Sequence, residues 1–312
     1  MTSSSYKKAV ILGASGFIGL HLVTELEKQG YELVCFDLKT SPNWPEAAVK
    51  ITGDFQTLPQ ELLEEMDDAL IFHLISITRP STDTKNIADA INQDLVATVR
   101  CLEATKDKQV RWVFVSSGGT VYGNKDLESI SETECPEPIC SYGLIKLTLE
   151  NYFALYRRLC GLDYVIVRPA NPYGPGQDPL RGQGLIPCLL YKALNNDPIE
   201  IWGDGTVVRD YIYIDDTITG IIAAAIRGQS GEIYNIGTGT GHSTNQLIEL
   251  IRNELEMTLQ VTYTKTRPVD VHCNILNCNK LMAHTRTSPK IDIISGMKHT
   301  LHQAILNHTE SI

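Results

Sequence analysis

Short apolar runs alternate along this chain with longer stretches in which apolar residues recur every three or four positions. The first run, Lys8 to Leu12, has the length and composition of a buried strand. It passes through glycines into Phe17, Leu20, Val23 and Leu26, the spacing of a helix. Strand-like runs follow at Glu32 to Phe36, Ala69 to Leu74, Arg111 to Val115 and Tyr164 to Val167, separated by helical stretches such as Ile87 to Ala104 and Tyr142 to Leu159. Such alternation predicts a parallel sheet covered by helices on both faces. After Arg168 the texture changes, because Pro169, Pro172, Gly174, Pro175, Gly176, Pro179, Gly182 and Gly184 crowd one stretch. A loop-rich second lobe is expected from there, with helices at Leu185 to Leu194, Thr217 to Arg227, Thr244 to Leu255 and Ile293 to Leu306. No repeat, low-complexity tract or flexible linker separates the lobes, so they are expected to pack together around a cleft. The division expected is residues 1–170 and 171–312, with a segment of about 212–240 returning to the first lobe.

The length of 312 residues suits one large domain or two sharing an interface, and 43% hydrophobic with 21% charged residues is ordinary globular usage. Lys and Arg number 27 against 37 Asp and Glu, a net charge of −10 with no concentrated basic run. That balance argues against a nucleic-acid partner; any phosphate held here is expected on a small molecule, gripped by a few arginines and backbone amides. No segment is apolar for long enough to span a bilayer, and the stretch Ala9 to Leu12 is too short for a signal sequence. The eight cysteines are scattered, and the closest pairs, Cys135/Cys140 and Cys273/Cys278, are set wider than C-x-x-C. They are read as reduced packing residues of a cytoplasmic protein, with no metal site.

Gly13-Ala14-Ser15-Gly16-Phe17-Ile18-Gly19 places glycines three apart between the first strand and its helix. Each omits a Cβ where the chain must turn, admit a pyrophosphate to the amides, or pack helix on sheet, and the helix N-terminus favours anionic oxygens. Asp37 ends the second strand near the spacing at which a carboxylate accepts hydrogen bonds from the adenosine ribose; this favours NAD over NADP, with Lys39 close by. Tyr142 and Lys146 stand four apart on one face of a predicted helix, where an ammonium favours the phenolate. A phenol pKa near 10 needs about 4 kcal/mol of differential stabilisation to fall by about three units. Lys146 together with an oxidised nicotinamide is the expected source, which would make Tyr142 a general base toward a sugar or alcohol hydroxyl.

The ordered set GASGFIG, Asp37, Gly53-Asp54, His73-Leu74, Asn92, SSGGTVYG, YGLIK, RPANPYGPG, Gly203-Asp204-Gly205, RDYIY and Tyr234-Asn235-Ile236-Gly237 resembles the extended short-chain dehydrogenase/reductase family. Within that family the likeness is to nucleotide-sugar 4-epimerases and their dehydratase and reductase relatives. The resemblance covers nearly the whole chain. It implies a Rossmann-type doubly wound parallel sheet with a smaller C-terminal α/β substrate lobe, and a cytoplasmic homodimer acting in polysaccharide biosynthesis. Dimerisation would use the helices Ile87 to Ala104 and Tyr142 to Leu159.

The resemblance further implies that Gly13, Ser15, Gly16, Phe17, Ile18, Gly19, Asp37, Asp54 and the segment at Leu74 bind NAD, Asp54 at the adenine, and that Tyr142 and Lys146 are the catalytic pair. Asn171 would hold the nucleotide-sugar, with Arg209 and Arg267 on its diphosphate. Family members commonly carry Ser or Thr where Gly118 stands, to orient the substrate hydroxyl. Ser117 is the first candidate to replace it, Thr120 the second. His73, His21, Tyr211 and Tyr213 are read as packing residues. The implied reaction is 4-epimerisation of a UDP-hexose or UDP-N-acetylhexosamine through a transient 4-keto sugar. The alternatives are an NAD(P)H-dependent reductase of nucleotide-linked 4-keto-6-deoxysugars and, from another class, a non-catalytic nucleotide sensor.

Overall fold

A computed structural model of the protein describes residues 6–78, 87–180, 184–265 and 271–309. In strand β1 (Lys8–Leu12), Ala9 and Ile11 face one layer of core while Val10 and Leu12 face the other, and none of the four is exposed. Burial on both faces is what an unbroken apolar run dictates for a central parallel strand. The sheet is seven-stranded and parallel, in the order β10 (Glu232–Ile236), β6 (Asp163–Pro169), β5 (Val110–Val115), β4 (Ala69–His73), β1, β2 (Glu32–Asp37) and β3 (Val49–Thr52). The order reverses at β1, whose neighbours are β2 and β4, and the crevice beyond the carboxyl ends of β1 and β4 is where this topology binds ligands.

Helices α1 (Phe17–Lys28) and α7 (Ile214–Arg227) cover one face; α2 (Gln60–Glu65), α4 (Ala97–Thr105) and α5 (Ser141–Cys160) cover the other. The remaining strands form a four-stranded sheet, in which β9 (Val208–Tyr213) pairs with β7 (Asn171–Tyr173), β11 (Gly241–Ser243) and β13 (Cys273–Asn274), and a pair made by β8 (Ile199–Trp202) and β12 (Val261–Thr264). Helices α6 (Leu185–Leu194), α8 (Thr244–Glu254), α9 (Asn279–Thr285) and α10 (Ile293–Thr309) complete the described chain.

Three local readings differ from the sequence expectation. Strand β3 lies outside the sequence expectation: its apolar/polar alternation, Val49-Lys50-Ile51-Thr52, spans only four residues, of which only Ile51 is buried. The helix expected from Ile87 to Ala104 is interrupted, because α3 (Ile87–Ala90) runs into a π turn, Ile91–Val96, before α4 begins. The eight cysteines are unpaired, as expected, yet Cys135 and Cys160 are exposed; only Cys35 and Cys101 are fully buried. Tyr211 and Tyr213 are buried, and half-buried His21 places Nε2 2.8 Å from the Pro175 carbonyl, tying α1 to the loop after β7. Among the described residues no helix is long and apolar enough to cross a membrane, and no cluster of His, Cys, Asp or Glu is arranged to hold a metal ion.

Candidate active site

The turn after β1 is shaped by what it lacks. A Cβ on Gly19 would lie 2.2 Å from the Gly13 carbonyl oxygen, so only glycine lets α1 start this close to the strand end. The amides of Phe17 and Ile18 precede the first intrahelical bond, Leu20 N to Gly16 O at 2.9 Å, and form the kind of helix start that favours anionic oxygens. Asp37 accepts from the Ser15 amide at 2.9 Å and from Leu38 N at 2.7 Å, which fixes its carboxylate beside the loop; Ser15 Oγ donates to Lys39 O. Asp54 follows β3 and caps the turn to Gln56. Leu74 follows β4, its Cβ 3.3 Å from the point where a side chain on Gly13 would start. This Cβ-free cradle, the helix amides and Asp37 fit a dinucleotide.

Helix α5 aligns Tyr142, Lys146 and Glu150 on one face at four-residue intervals. Cys140 caps the helix, its sulfur accepting from Gly143 N at 3.5 Å. Gly143 lies against the preceding segment, the Thr120 carbonyl oxygen being 2.7 Å from where its Cβ would be. Half-buried Tyr142 hydrogen-bonds Ser117. Lys146 Nζ donates to Val115 O at 3.0 Å, at the end of β5, and lies 5.8 Å from the Tyr142 ring centre. Burial pulls the Lys146 ammonium down to about 8, against the opposing pull of Asp94 and Glu150. Burial pushes the Tyr142 phenol up, the Ser117 hydrogen bond counters it, and Asp94 adds to the rise. The sequence expectation has Lys146 and an oxidised nicotinamide together lowering this phenol; in the structure Lys146 Nζ is turned to the Val115 carbonyl, and Ser117 is the neighbour that lowers the phenol.

Gly118 continues the line of β5, with its amide on Pro169 O at 2.8 Å. A Cβ there would meet Leu276 Cδ1 at 2.5 Å and Arg168 O at 2.9 Å, so this chain has no room for the Ser or Thr common in the family. Of the two candidate substitutes, Ser117 engages the phenol, while the buried Thr120 Oγ1 has no hydrogen-bond partner among the described residues. Asn171 donates to Asp210 O at 2.8 Å, and its Oδ1 is 3.7 Å from where a Gly119 Cβ would be. Asn171 pairs in register with Tyr211 on β9, two residues beyond half-buried Arg209, so these candidates line adjacent strands. Arg267 lies outside the described residues.

His73 is a packing residue, as read from the sequence. Its Nε2 is 2.8 Å from Thr98 Oγ1, which donates to Asp94 O at 2.5 Å; Nε2 therefore carries the proton. Burial pushes its pKa down to about 3, and the ring stays neutral. Sequence reasoning missed the layer behind the site. Glu150 accepts from Ser116 Oγ at 2.5 Å and from Arg168 Nε at 3.0 Å, both residues being nearly inaccessible, while Arg168 stacks 4.8 Å over the Tyr122 ring. In the segment before α4, where the sequence resemblance includes Asn92, the structure exposes Asn92 and buries Asp94.

Residues 9–237 match the NAD dependent epimerase/dehydratase family. The chain belongs to that family. It is 29% identical over 303 residues to a putative UDP-glucose 4-epimerase of Methanocaldococcus jannaschii, covering 94% of this chain and 96% of the relative. It is also 29% identical over 301 residues to the dTDP-4-dehydro-6-deoxyglucose reductase of Escherichia coli, with 92% and 94% covered. Among solved structures, the UDP-glucose 4-epimerase of Thermotoga maritima with UDP-glucose superposes with a TM-score of 0.90 at 29% identity, over 96% of this chain and 99% of that one. The family member described here is a Rossmann-type enzyme whose cofactor is NAD.

Proposed function

We propose that this protein is a nucleotide-sugar 4-epimerase for a UDP-hexose or UDP-N-acetylhexosamine, acting through a transient 4-keto sugar. The observation that carries this reading is Tyr142 on the first turn of α5, hydrogen-bonded to Ser117 just beyond β5 and with Lys146 Nζ 5.8 Å from its ring centre. Bound NAD supplies a hydride acceptor for C4 and a positive ring that favours the phenolate. Tyr142 takes the proton from the 4-hydroxyl and returns it to the rotated 4-keto sugar. Ser117 orients the phenol, Thr120 and Asn171 hold the sugar, and Arg209 with Arg267 pairs with the diphosphate. The same reading gives residues 1–170 to the cofactor and 171–312 to the substrate, with β10 returning to the cofactor domain's sheet.

An epimerase regenerates NAD within each turnover, so release is unnecessary and would strand the 4-keto sugar. The purified protein should carry bound NAD, interconvert a 4-epimeric pair without added NADH, and keep solvent deuterium out of C4. The likeness to the E. coli reductase supports the second reading, a 4-keto-sugar reductase. Stoichiometric NAD(P)H oxidation with a 4-keto substrate, and no epimer from any 4-hydroxy sugar nucleotide, would replace the first reading with that one.

A homodimer belongs to the same proposal. Ile91 on the π turn and Leu144 and Leu159 on α5 are exposed apolar residues suited to a two-fold helix bundle. Light scattering should give twice 34.6 kDa; a stable monomer at micromolar concentration removes the bundle.

A further inference from the structure

Asp94 is a buried carboxylate, 3% exposed, in the middle of the π turn. It collects hydrogen bonds from three consecutive residues: Oδ1 accepts from Ile77 N at 2.9 Å, and Oδ2 from Ser76 Oγ at 2.9 Å, Thr78 Oγ1 at 2.7 Å and Thr78 N at 3.4 Å. Two amides and two hydroxyls on one carboxylate leave the Ser76–Thr78 backbone little freedom, since bonds to a charged acceptor are the stronger kind.

The position of that loop gives the clip its meaning. The loop leaves the carboxyl end of β4 at the topological switch point, and its first residues, Leu74 and Ile75, lie against Gly13 of the cradle. Its residues Ser76 to Thr78 are held by Asp94. The Asp94 carbonyl is joined back to β4 through Thr98 Oγ1 and His73 Nε2, so the loop belongs to a closed ring of contacts. The π turn packs on α5, and both Tyr142 and Lys146 feel the Asp94 charge. The extra residue of the π turn lets a side chain inside a helical stretch be re-aimed inward, a common use of π turns at functional sites.

We propose that Asp94 is a positioning residue for the cofactor, its carboxylate fixing the Ser76–Thr78 loop as the wall of the NAD cleft between the glycine cradle and Tyr142. The proposal concerns NAD binding and loop order, so it stands apart from the sugar assignment and from the direction of the reaction.

The test compares Asp94→Ala with Asp94→Asn in the full chain, freed of NAD and titrated with NAD by calorimetry, with hydrogen–deuterium exchange followed over residues 74–78. Loss of the clip in Asp94→Ala should weaken NAD about tenfold, about 1.4 kcal/mol, and raise exchange at Ile77 and Thr78 by a similar factor. Asn keeps an oxygen for the Ile77 amide and an NH2 that donates to the two hydroxyls, which can turn to accept, and gives up only the 3.4 Å bond from Thr78 N. Asp94→Asn should therefore restore NAD affinity and exchange at Ile77 to within about threefold. Ser76→Ala combined with Thr78→Val leaves the carboxylate in place and should move both readouts in the direction of Asp94→Ala, which keeps the test decisive should Asp94→Ala not fold. Wild-type NAD affinity and loop protection in Asp94→Ala, or in the double variant where that one does not fold, would overturn the proposal. So would an Asp94→Asn protein as impaired as Asp94→Ala, because the carboxylate would then act by its charge and not as a clip.

Discussion

Replacing Tyr142 with Phe should lower turnover by a factor on the order of 10² or more while leaving NAD affinity within about twofold. The substitution removes one oxygen and keeps the ring, so the packing of the first turn of α5 against the Thr120 carbonyl and the position of Lys146 are preserved. What is lost is the group that exchanges a proton with the sugar hydroxyl. Ser117→Ala should have a smaller effect, roughly tenfold, because it removes the hydrogen bond that lowers the phenol pKa while the phenol itself remains. The two effects should not multiply: once Tyr142 is Phe, the Ser117 hydroxyl has no phenol to act on, and the double variant should match the Tyr142 single variant. Stopped assays on NAD-saturated protein measure this directly. Unchanged turnover in the Phe variant would remove Tyr142 from the chemistry and turn attention to Thr120, whose buried hydroxyl has no partner among the described residues.

The parts of this site that were legible in the sequence are those whose backbone geometry admits few residues. The glycine cradle could be read because a Cβ on Gly19 collides with the Gly13 carbonyl, a purely local conflict, and Asp37 because it ends the strand beside that cradle. Tyr142 and Lys146 could be read because a helix places residues four apart on one face. Gly118 was visible as a departure but not as a necessity. The atoms that exclude its Cβ belong to Leu276 and Arg168, far along the chain, and only folding brings them together. Asp94 was invisible for a related reason. Within its own segment Asn92 is as polar, and nothing local says that a π turn will bury the one and expose the other. The layer formed by Glu150, Arg168 and Ser116 draws on α5, β6 and the end of β5, and each residue alone reads as an ordinary surface polar residue.

That hidden layer supports the second large prediction. Glu150 and Arg168 form an ion pair with both side chains nearly out of reach of water, at 3% and 2% exposure. Their mutual attraction offsets a desolvation penalty of several kcal/mol for each charge, so removing one partner leaves the other buried and unpaired. Glu150→Ala should lower stability by about 3–5 kcal/mol, a fall in Tm on the order of 10 °C. Glu150→Met combined with Arg168→Met should recover most of that loss, because it removes both buried charges and fills the space with apolar atoms. The catalytic consequence separates from the stability one. Ser116 donates to Glu150 and is joined through the chain to Ser117, and Glu150 follows Lys146 by one helical turn on the same face. The double variant should therefore regain Tm without regaining full turnover: Ser116 still lacks its acceptor, and Lys146 lacks the carboxylate that raises its pKa toward the charged form. Thermal unfolding and turnover, measured on the same three proteins, separate these roles. A Glu150→Ala protein that loses less than about 1 kcal/mol would mean that water reaches the pair, and the layer would then have no part in holding the Tyr142–Lys146 face in place.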